Sequence, residues 1–218
     1  QVLKLTTDLD ALARARPGVD LVLAPRAFTH ADALRDFLNA RREAVLSSLY
    51  RMVALQEELD WLCYRLYGLD DIDDGLSPDE IAPVPPTYLP WSVSFAATDS
   101  VWYTRHGWTP LTDFPPDLPA AVRRVYHARR DRTAASHPLK LIETANFKRR
   151  WYKPDYQAEE REALKAWLAE RAEAAARERT RAFTLDHLVA ALQDDPRVLA
   201  VGEVLTGRRD FSLTQLVA

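Results

Sequence analysis

Apolar residues recur every seven positions through the first third of the chain. The repeat consists of Leu38, Val45, Met52, Leu59 and Leu66. Further apolar residues fall four positions apart within it, and no Gly or Pro interrupts residues 30–67. Residues at these intervals share one face of a helix. The pattern therefore predicts a long amphipathic helix, with Thr29 as its N-cap and Gly68 at its C-terminal end.

Shorter patterns lie on either side of this helix. Residues 7–15 predict a short helix that Pro17 and Gly18 end. Residues 69–90 are acidic and then rich in proline, which predicts a loop. Residues 91–98 alternate large apolar and small side chains, which is typical of a short strand.

The last hundred residues predict further helices. One is expected to start near Pro119, a residue suited to a first turn, and to run to about Ala134. A second, short helix is predicted over Ile142–Trp151, and a strong one over Tyr156–Arg181 after a break at the preceding Pro-Asp pair. Thr184 offers an N-cap for the next helix, and two small elements follow.

Together these elements predict a mostly α fold with a long amphipathic helix, a helical C-terminal bundle and a short strand and loop insertion. We divide the chain into a helical arm (1–68), an acidic, proline-rich connector (69–116) and a basic helical C-terminal domain (117–218). Cys63 is the single cysteine, so no internal disulfide can form. With no signal peptide and no apolar run of membrane length, we expect a cytoplasmic protein without a membrane partner.

The net charge of −3 conceals two opposed blocks. Residues 120–153 carry ten Lys and Arg against two acidic residues, a net charge of +8. Residues 57–80, here called the acidic block, carry nine acidic residues against Arg65, a net charge of −8. Three interpretations stay open: the blocks pair within the chain, the basic one faces nucleic acid, or both are solvated helix faces.

Motifs for catalysis or cofactor binding are missing from the sequence. The six glycines never form the paired pattern of a nucleotide loop, and no nucleophile elbow of a serine hydrolase is present. Histidine and cysteine do not show zinc-ligand spacing. Residues 71–75, "DIDDG", are similar to half a calcium loop but lack the Glu that closes one. We therefore predict no catalytic, cofactor or metal site within this chain.

Three stretches in order resemble one protein family. They are "MVALQEELDWLCYRLYGL" (52–69), "WYTRHGWTPLTDFP" (102–115) and "LIETANFKRRWYKPDYQAEEREALKAWLAER" (141–171). This trio is similar to the C-terminal part of PglX-type adenine-specific DNA methyltransferases of phage-growth-limitation and BREX defence systems. The resemblance extends from about residue 30 to about residue 215.

The resemblance implies a parent enzyme that uses S-adenosylmethionine and holds adenine with an Asn/Asp-Pro-Pro-aromatic loop. This chain has two Pro-Pro pairs, at 85–86 and 115–116, but neither has the polar residue before the prolines or the aromatic residue after them. The glycine-bearing cofactor loop is missing as well. The resemblance therefore implies a non-catalytic region that lies next to the catalytic domain of its parent, and it transfers no catalytic residue.

Within that region the basic residues are the candidates for binding double-stranded DNA, because Lys and Arg neutralise phosphates. Phe147, Trp151 and Tyr152 could stack on bases, although Trp151 would pair with Phe147 in a core if the segment is helical. The alternative is a protein-interaction module that docks other defence components or phage inhibitors. The candidate DNA-binding residues are Arg123, Arg124, Arg129, Arg130, Arg132, Lys148, Arg149, Arg150 and Lys153.

Overall fold

The computed structural model describes residues 1–15, 28–95, 100–145, 147–148, 151–177 and 184–217. The described part contains ten α-helices, one 3-10 turn at Pro86–Tyr88 and no strand, which confirms the mostly α fold. The helices are α1 (Val2–Arg14), α2 (Ala31–Leu66), α3 (Pro90–Phe95), α4 (Ser100–His106), α5 (Ala120–Ala135), α6 (His137–Ile142), α7 (Tyr156–Arg177), α8 (Leu185–Leu192), α9 (Pro196–Thr206) and α10 (Leu213–Val217). None of these helices is both long and apolar enough to cross a membrane.

Two compact units make up the chain. The first comprises Gln1–Arg16 and Leu46–Pro154, and the second comprises Pro17–Val45 and Asp155–Ala218. One boundary therefore falls inside α2, and the other falls just before α7. The boundaries that we predicted from composition, after residues 68 and 116, lie at other positions in the chain.

The ends of α2 show why the helix has these limits. At its start the imidazole Nδ1 of His30 accepts a hydrogen bond from the amide of Ala33 at 3.1 Å, so His30 takes the capping role that we predicted for Thr29. At its end Gly68 has a φ of 71°, a conformation that costs glycine little. The amide of Leu69 donates to the carbonyl of Tyr64 at 2.9 Å, and that of Gly68 to Arg65 at 3.0 Å. This pair of hydrogen bonds is a Schellman motif, and it confirms Gly68 as the helix end.

Aromatic residues of α3 and α4 fill the core of the first unit. The rings of Trp91 and Trp102 meet edge to face at 5.0 Å, and the hydroxyl of Tyr103 donates to the carbonyl of Ser92 at 2.7 Å. The predicted strand is wrong for Pro90–Phe95, which is helical, while residues 96–98 lie outside the described residues. Trp91, Ser92 and Val93 are all buried, so the alternation in sequence does not separate a buried face from an exposed one.

Helices α5 and α6 show one prediction confirmed and one wrong. Helix α5 covers Ala120–Ala135 as predicted, with Pro119 just before it. The short helix expected over Ile142–Trp151 is wrong, because the helix found here, α6, ends at Ile142 where the predicted one would begin. Helix α6 starts after Ser136, whose side chain accepts a hydrogen bond from the amide of Leu139. The described residues between Ile142 and α7 form turns and bends or have no regular secondary structure.

Helices α7 to α10 form the core of the second unit with the first turns of α2. Leu164, Trp167 and Leu168 of α7 are buried there, as predicted. Thr184 caps α8 through a reciprocal capping box with His187, which confirms the predicted N-cap. Helix α1 ends at Arg14, close to the predicted end, but it starts at Val2 and not at residue 7. The residues at which we expected the chain to break or a helix to end, Pro17-Gly18 and Arg181, lie outside the described residues.

Candidate nucleic-acid interface

The nine predicted DNA-binding cations fall into three groups in the structure. Arg129, Arg132 and Lys148 belong to an ion-pair network inside the first unit. Arg149 and Arg150 lie outside the described residues. The remaining four keep solvent-accessible side chains, and they are Arg123, Arg124, Arg130 and Lys153.

Arg129 is the most deeply buried of the seven cations that the structure describes, with no exposed surface. Its Nη1 and Nη2 donate to the two carboxylate oxygens of Glu58 at 2.6 and 3.0 Å, which is the bidentate geometry of strong Arg–carboxylate pairs. Its Nε lies 3.7 Å from Asp74, and the guanidinium sits 5.2 Å from the ring centre of Trp61. Burial lowers the pKa of Arg129, but the bonds to Glu58 outweigh this effect and raise it, so the guanidinium stays charged.

Arg132, one helical turn further along α5, pairs with two carboxylates of the loop that follows α2. Its Nη2 donates to Asp74 at 2.7 Å, and its Nε lies 3.3 Å from Asp70. The guanidinium also lies 4.9 Å from the ring centre of Trp61. Arg132 therefore holds α5 against both the loop and α2.

Lys148 makes the equivalent attachment for the segment that follows α6. Its Nζ lies 2.6 Å from Glu143, 2.9 Å from Asp60 and 3.5 Å from Glu57. The hydroxyl of Tyr64 donates to Glu143 at 2.7 Å, so the same carboxylate joins this segment to α2. Burial lowers the pKa of Lys148, but the facing carboxylates raise it by more than burial lowers it. The ammonium group therefore stays charged.

Glu57 lies between the two cationic centres. Its Oε1 accepts from the indole of Trp61 at 2.6 Å and lies 3.9 Å from Arg129, while its Oε2 faces Lys148. Burial raises the pKa of Glu57 to about 7, because Lys148 offsets the loss of solvation only in part. The carboxyl group of Glu57 is therefore poised to bind a proton near neutral pH.

Residues of the acidic block are thus the partners of three predicted DNA-binding cations. Charged groups of Arg129, Arg132 and Lys148 face carboxylates of the unit itself and have little surface to offer a phosphate. Pairing within the chain, which the sequence left open, is what the structure shows for these three residues. DNA contact by the accessible cations stays a prediction.

Two of the three accessible cations of α5 contact the segment that precedes the helix. Arg123 donates to the carbonyl of Pro116 at 3.0 Å, and Arg130 stacks 5.5 Å from the ring centre of Phe114, with Asp113 at 3.4 Å. Arg124 is exposed. Part of the positive charge on this face is therefore already shared with local acceptors.

The loop between α6 and α7, here called the 143–154 loop, is fixed at three points. Lys148 holds it by ion pairs, and the carbonyl of Trp151 accepts from the indole of Trp108 at 2.7 Å. The amide of Lys153 donates to the carbonyl of His106 at 2.8 Å. These anchors tie the loop to α2 and α4.

Next to its anchors the 143–154 loop presents two aromatic side chains to solvent. Phe147 is 75% exposed and Tyr152 is 58% exposed. Trp151 is half-buried against the core, so it acts mainly as the core residue that we considered. The helical pairing with Phe147 on which we based that choice is wrong, since the loop has no helix in its described residues.

Sequence reasoning missed Arg105. Its side chain is exposed at the end of α4, next to His106, whose carbonyl binds Lys153. The imidazole of His106 is itself buried, stacks on Trp102 at 4.5 Å and bonds to that residue's carbonyl. The hydrogen bond from Lys153 to His106 brings the loop to the end of α4, one residue after Arg105, and no local sequence pattern reveals this contact. Among the described residues no group of His, Cys, Asp and Glu is arranged to hold a metal ion.

Comparison with known proteins assigns the chain to a family. The chain belongs to the family described as a domain of unknown function, DUF7008, which matches residues 52–218. It is also 30% identical over 224 residues to the adenine-specific methyltransferase PglX of Streptomyces coelicolor. The match covers 95% of this chain but 18% of that protein. The predicted resemblance to a PglX-type protein is therefore confirmed, and no solved structure matches the chain.

Proposed function

We propose that this chain is a non-catalytic region of a PglX-type adenine-specific DNA methyltransferase of a phage-defence system. Support comes from the match to a limited part of the Streptomyces protein and from the lack of methyltransferase motifs in the sequence. The catalytic loop and the S-adenosylmethionine site would lie elsewhere in the longer protein. The chain alone should therefore neither bind S-adenosylmethionine in calorimetry nor transfer a methyl group to DNA.

The role of this region is to contact DNA through the 143–154 loop. The observation that carries this proposal is the exposure of Phe147 and Tyr152 on a loop that is fixed at three points. An anchored loop loses less conformational entropy on binding than a free one. Exposed aromatic rings can stack on bases, and Lys153 and Arg105 can neutralise phosphates beside them.

Fluorescence anisotropy with labelled duplex and single-stranded DNA tests this proposal. Affinity should fall steeply as salt rises from about 50 to about 200 mM, because bound phosphates release counterions. Lys153→Ala should reduce the slope of log affinity against log salt concentration by the amount that about one phosphate contact contributes. Phe147→Ala should lower affinity with little change of slope, since base stacking is worth about 1–3 kcal/mol.

Two exposed residues outside the loop provide matched controls. Tyr67→Ala removes an aromatic ring that is 82% exposed, and Lys4→Ala removes an exposed lysine of α1. Both should leave DNA affinity unchanged. Equal losses in control and loop variants, or no binding of either DNA at low salt, would exclude the loop as the contact.

A second candidate function is a protein-interaction module. The observation that favours it is a run of exposed apolar residues where α2 ends, which includes Leu66, Tyr67 and Ile72. Exposed apolar residues in one continuous stretch mark interaction sites. Under this function the chain would bind a protein, such as another defence component, while having no affinity for DNA.

A further inference from the structure

A small cavity lies against the 143–154 loop inside the first unit. Its volume is about 10 Å³, and residues of α2, α3 and the loop line it. Glu57 belongs to α2, Trp91 to α3, and Lys148 and Trp151 to the loop. A single water molecule needs a cavity of about 10–15 Å³, so this one has room for one water.

Two residues in the walls of the cavity each have a buried polar atom without a hydrogen-bond partner among the described residues. These atoms are the indole Nε1 of Trp91 and Oε2 of Glu57. Trp91 and Glu57 are each 1% exposed, so bulk solvent does not reach either group. Buried polar groups that stay unpaired cost stability, and in folded proteins such groups are nearly always paired with protein or with ordered water.

The protein groups around Glu57 do not satisfy its Oε2. The indole of Trp61 donates to the other carboxylate oxygen, Oε1. Nζ of Lys148 lies 3.5 Å from Oε2, which is longer than an ordinary N–H···O hydrogen bond. The same ammonium group lies closer to Glu143 and Asp60, at 2.6 and 2.9 Å. Oε2 therefore has an ion-pair partner nearby but still needs a donor.

The walls of the cavity are polar as well as apolar. Cavities that stay dry are lined by apolar side chains, whereas Gln56, Glu57, Asp60 and Lys148 all line this one. The cavity thus combines the size, the polarity and the unpaired groups that a buried water requires.

We propose that the cavity binds one water molecule, which accepts a hydrogen bond from Nε1 of Trp91 and donates one to Oε2 of Glu57. The second hydrogen of the water has the side-chain oxygens of Gln56 and Asp60 as further acceptors. Three hydrogen bonds are typical of a buried water. The water joins α3 to α2 beside the loop, so it contributes to the support of the loop and does not depend on DNA binding.

A high-resolution crystal structure of the chain tests the site directly. Electron density for an ordered water is expected within about 3.2 Å of both Nε1 of Trp91 and Oε2 of Glu57. A cavity without such density, or a direct hydrogen bond between the indole and the carboxylate, would overturn the proposal.

The same water is detectable in solution through the indole protons of a ¹⁵N-labelled chain. In rotating-frame Overhauser spectra the indole proton of Trp91 should show a cross peak at the water frequency. Its sign distinguishes a bound water from chemical exchange of the indole proton with solvent. Trp61 is the matched control, because its indole is also buried but donates directly to Glu57, so its cross peak should be much weaker or absent. Equal cross peaks at both indoles, or none at Trp91, would contradict a water bound at this position.

DNA affinity measured on the same chain separates this proposal from the proposed function. Loss of the water site would leave the exposed residues of the 143–154 loop as they are, and failure to bind DNA would leave the water in its cavity.

Discussion

Replacing Glu57 by Gln should make the chain more stable at neutral and alkaline pH. Glu57 is 1% exposed and faces Lys148, Arg129 and the indole of Trp61. Gln keeps the size of the side chain and a carbonyl oxygen for the indole, but it has no charge to bury. The cations keep their other carboxylate partners, so the substitution removes mainly the cost of desolvating Glu57.

The size and sign of this effect follow from the pKa of Glu57. Burial raises that pKa from 4.5 to about 7, and each unit corresponds to about 1.4 kcal/mol. Between these two values the folded chain holds a proton that the unfolded chain has released. The free energy of unfolding therefore falls as pH rises from about 4.5 to about 7, by about 3 kcal/mol, and this contribution is constant above that range.

Urea unfolding of both chains at several pH values between about 5 and about 8 measures the effect. Tryptophan fluorescence suits the assay, because five of the six tryptophans lie in the first unit. The variant should gain stability relative to the natural chain as pH rises through this range. Asp79→Asn, which changes an exposed carboxylate of the same unit, should show no such gain. A difference that stays constant with pH, or shrinks as pH rises, would refute the reasoning.

Three further substitutions test other parts of the structure. Arg129→Met should cost about 3–5 kcal/mol in urea unfolding, because Glu58 would be left buried without its bidentate partner, whereas Arg124→Ala should change stability by less than about 0.5 kcal/mol. Thr184→Ala should cost about 1 kcal/mol in the unfolding of the second unit through loss of the α8 cap, measured by the fluorescence of Trp167. Lys148→Met should weaken DNA binding in the anisotropy assay but leave its salt slope unchanged, because Lys148 positions the loop and contacts no phosphate.

The long helices could be predicted from sequence because their information is local. Seven-residue spacing, the absence of Gly and Pro, and the glycine at the end determine α2 almost to the residue. The buried face of α7 follows in the same way from Leu164, Trp167 and Leu168. The cap of α2 was placed one residue early because His30 is an uncommon capping residue.

Arg129 shows where more of the site was predictable than we inferred. Val122, Val125, Tyr126 and Thr133 are buried on α5, and Arg129 lies at the three- and four-residue spacing that continues their face. The helical period therefore marks Arg129 as inward-facing, whereas a count of charges treats all arginines alike. Buried arginine requires a carboxylate partner, and the acidic block supplied one.

The 143–154 loop could not be predicted in this way, because its structure depends on distant residues. Lys148 meets Asp60 and Glu57 of α2, and Trp151 meets Trp108, which are contacts that no local pattern encodes. The helix that we expected there would have satisfied local preferences. Tertiary ion pairs and hydrogen bonds took precedence over them.

The buried and the exposed cations of residues 120–153 therefore act in different ways: the buried ones stabilise the fold, and the exposed ones are available to a ligand. Lys148 is enclosed by three carboxylates, so its charge is neutralised before any ligand arrives, and its removal changes the geometry of the loop. Lys153 is exposed, so under the proposed DNA contact its charge would neutralise a phosphate, and its removal should lower the number of counterions released. Affinity alone cannot separate these two effects, because both lower it. The salt slope separates them, since it depends on the neutralised phosphates and not on how the loop is held.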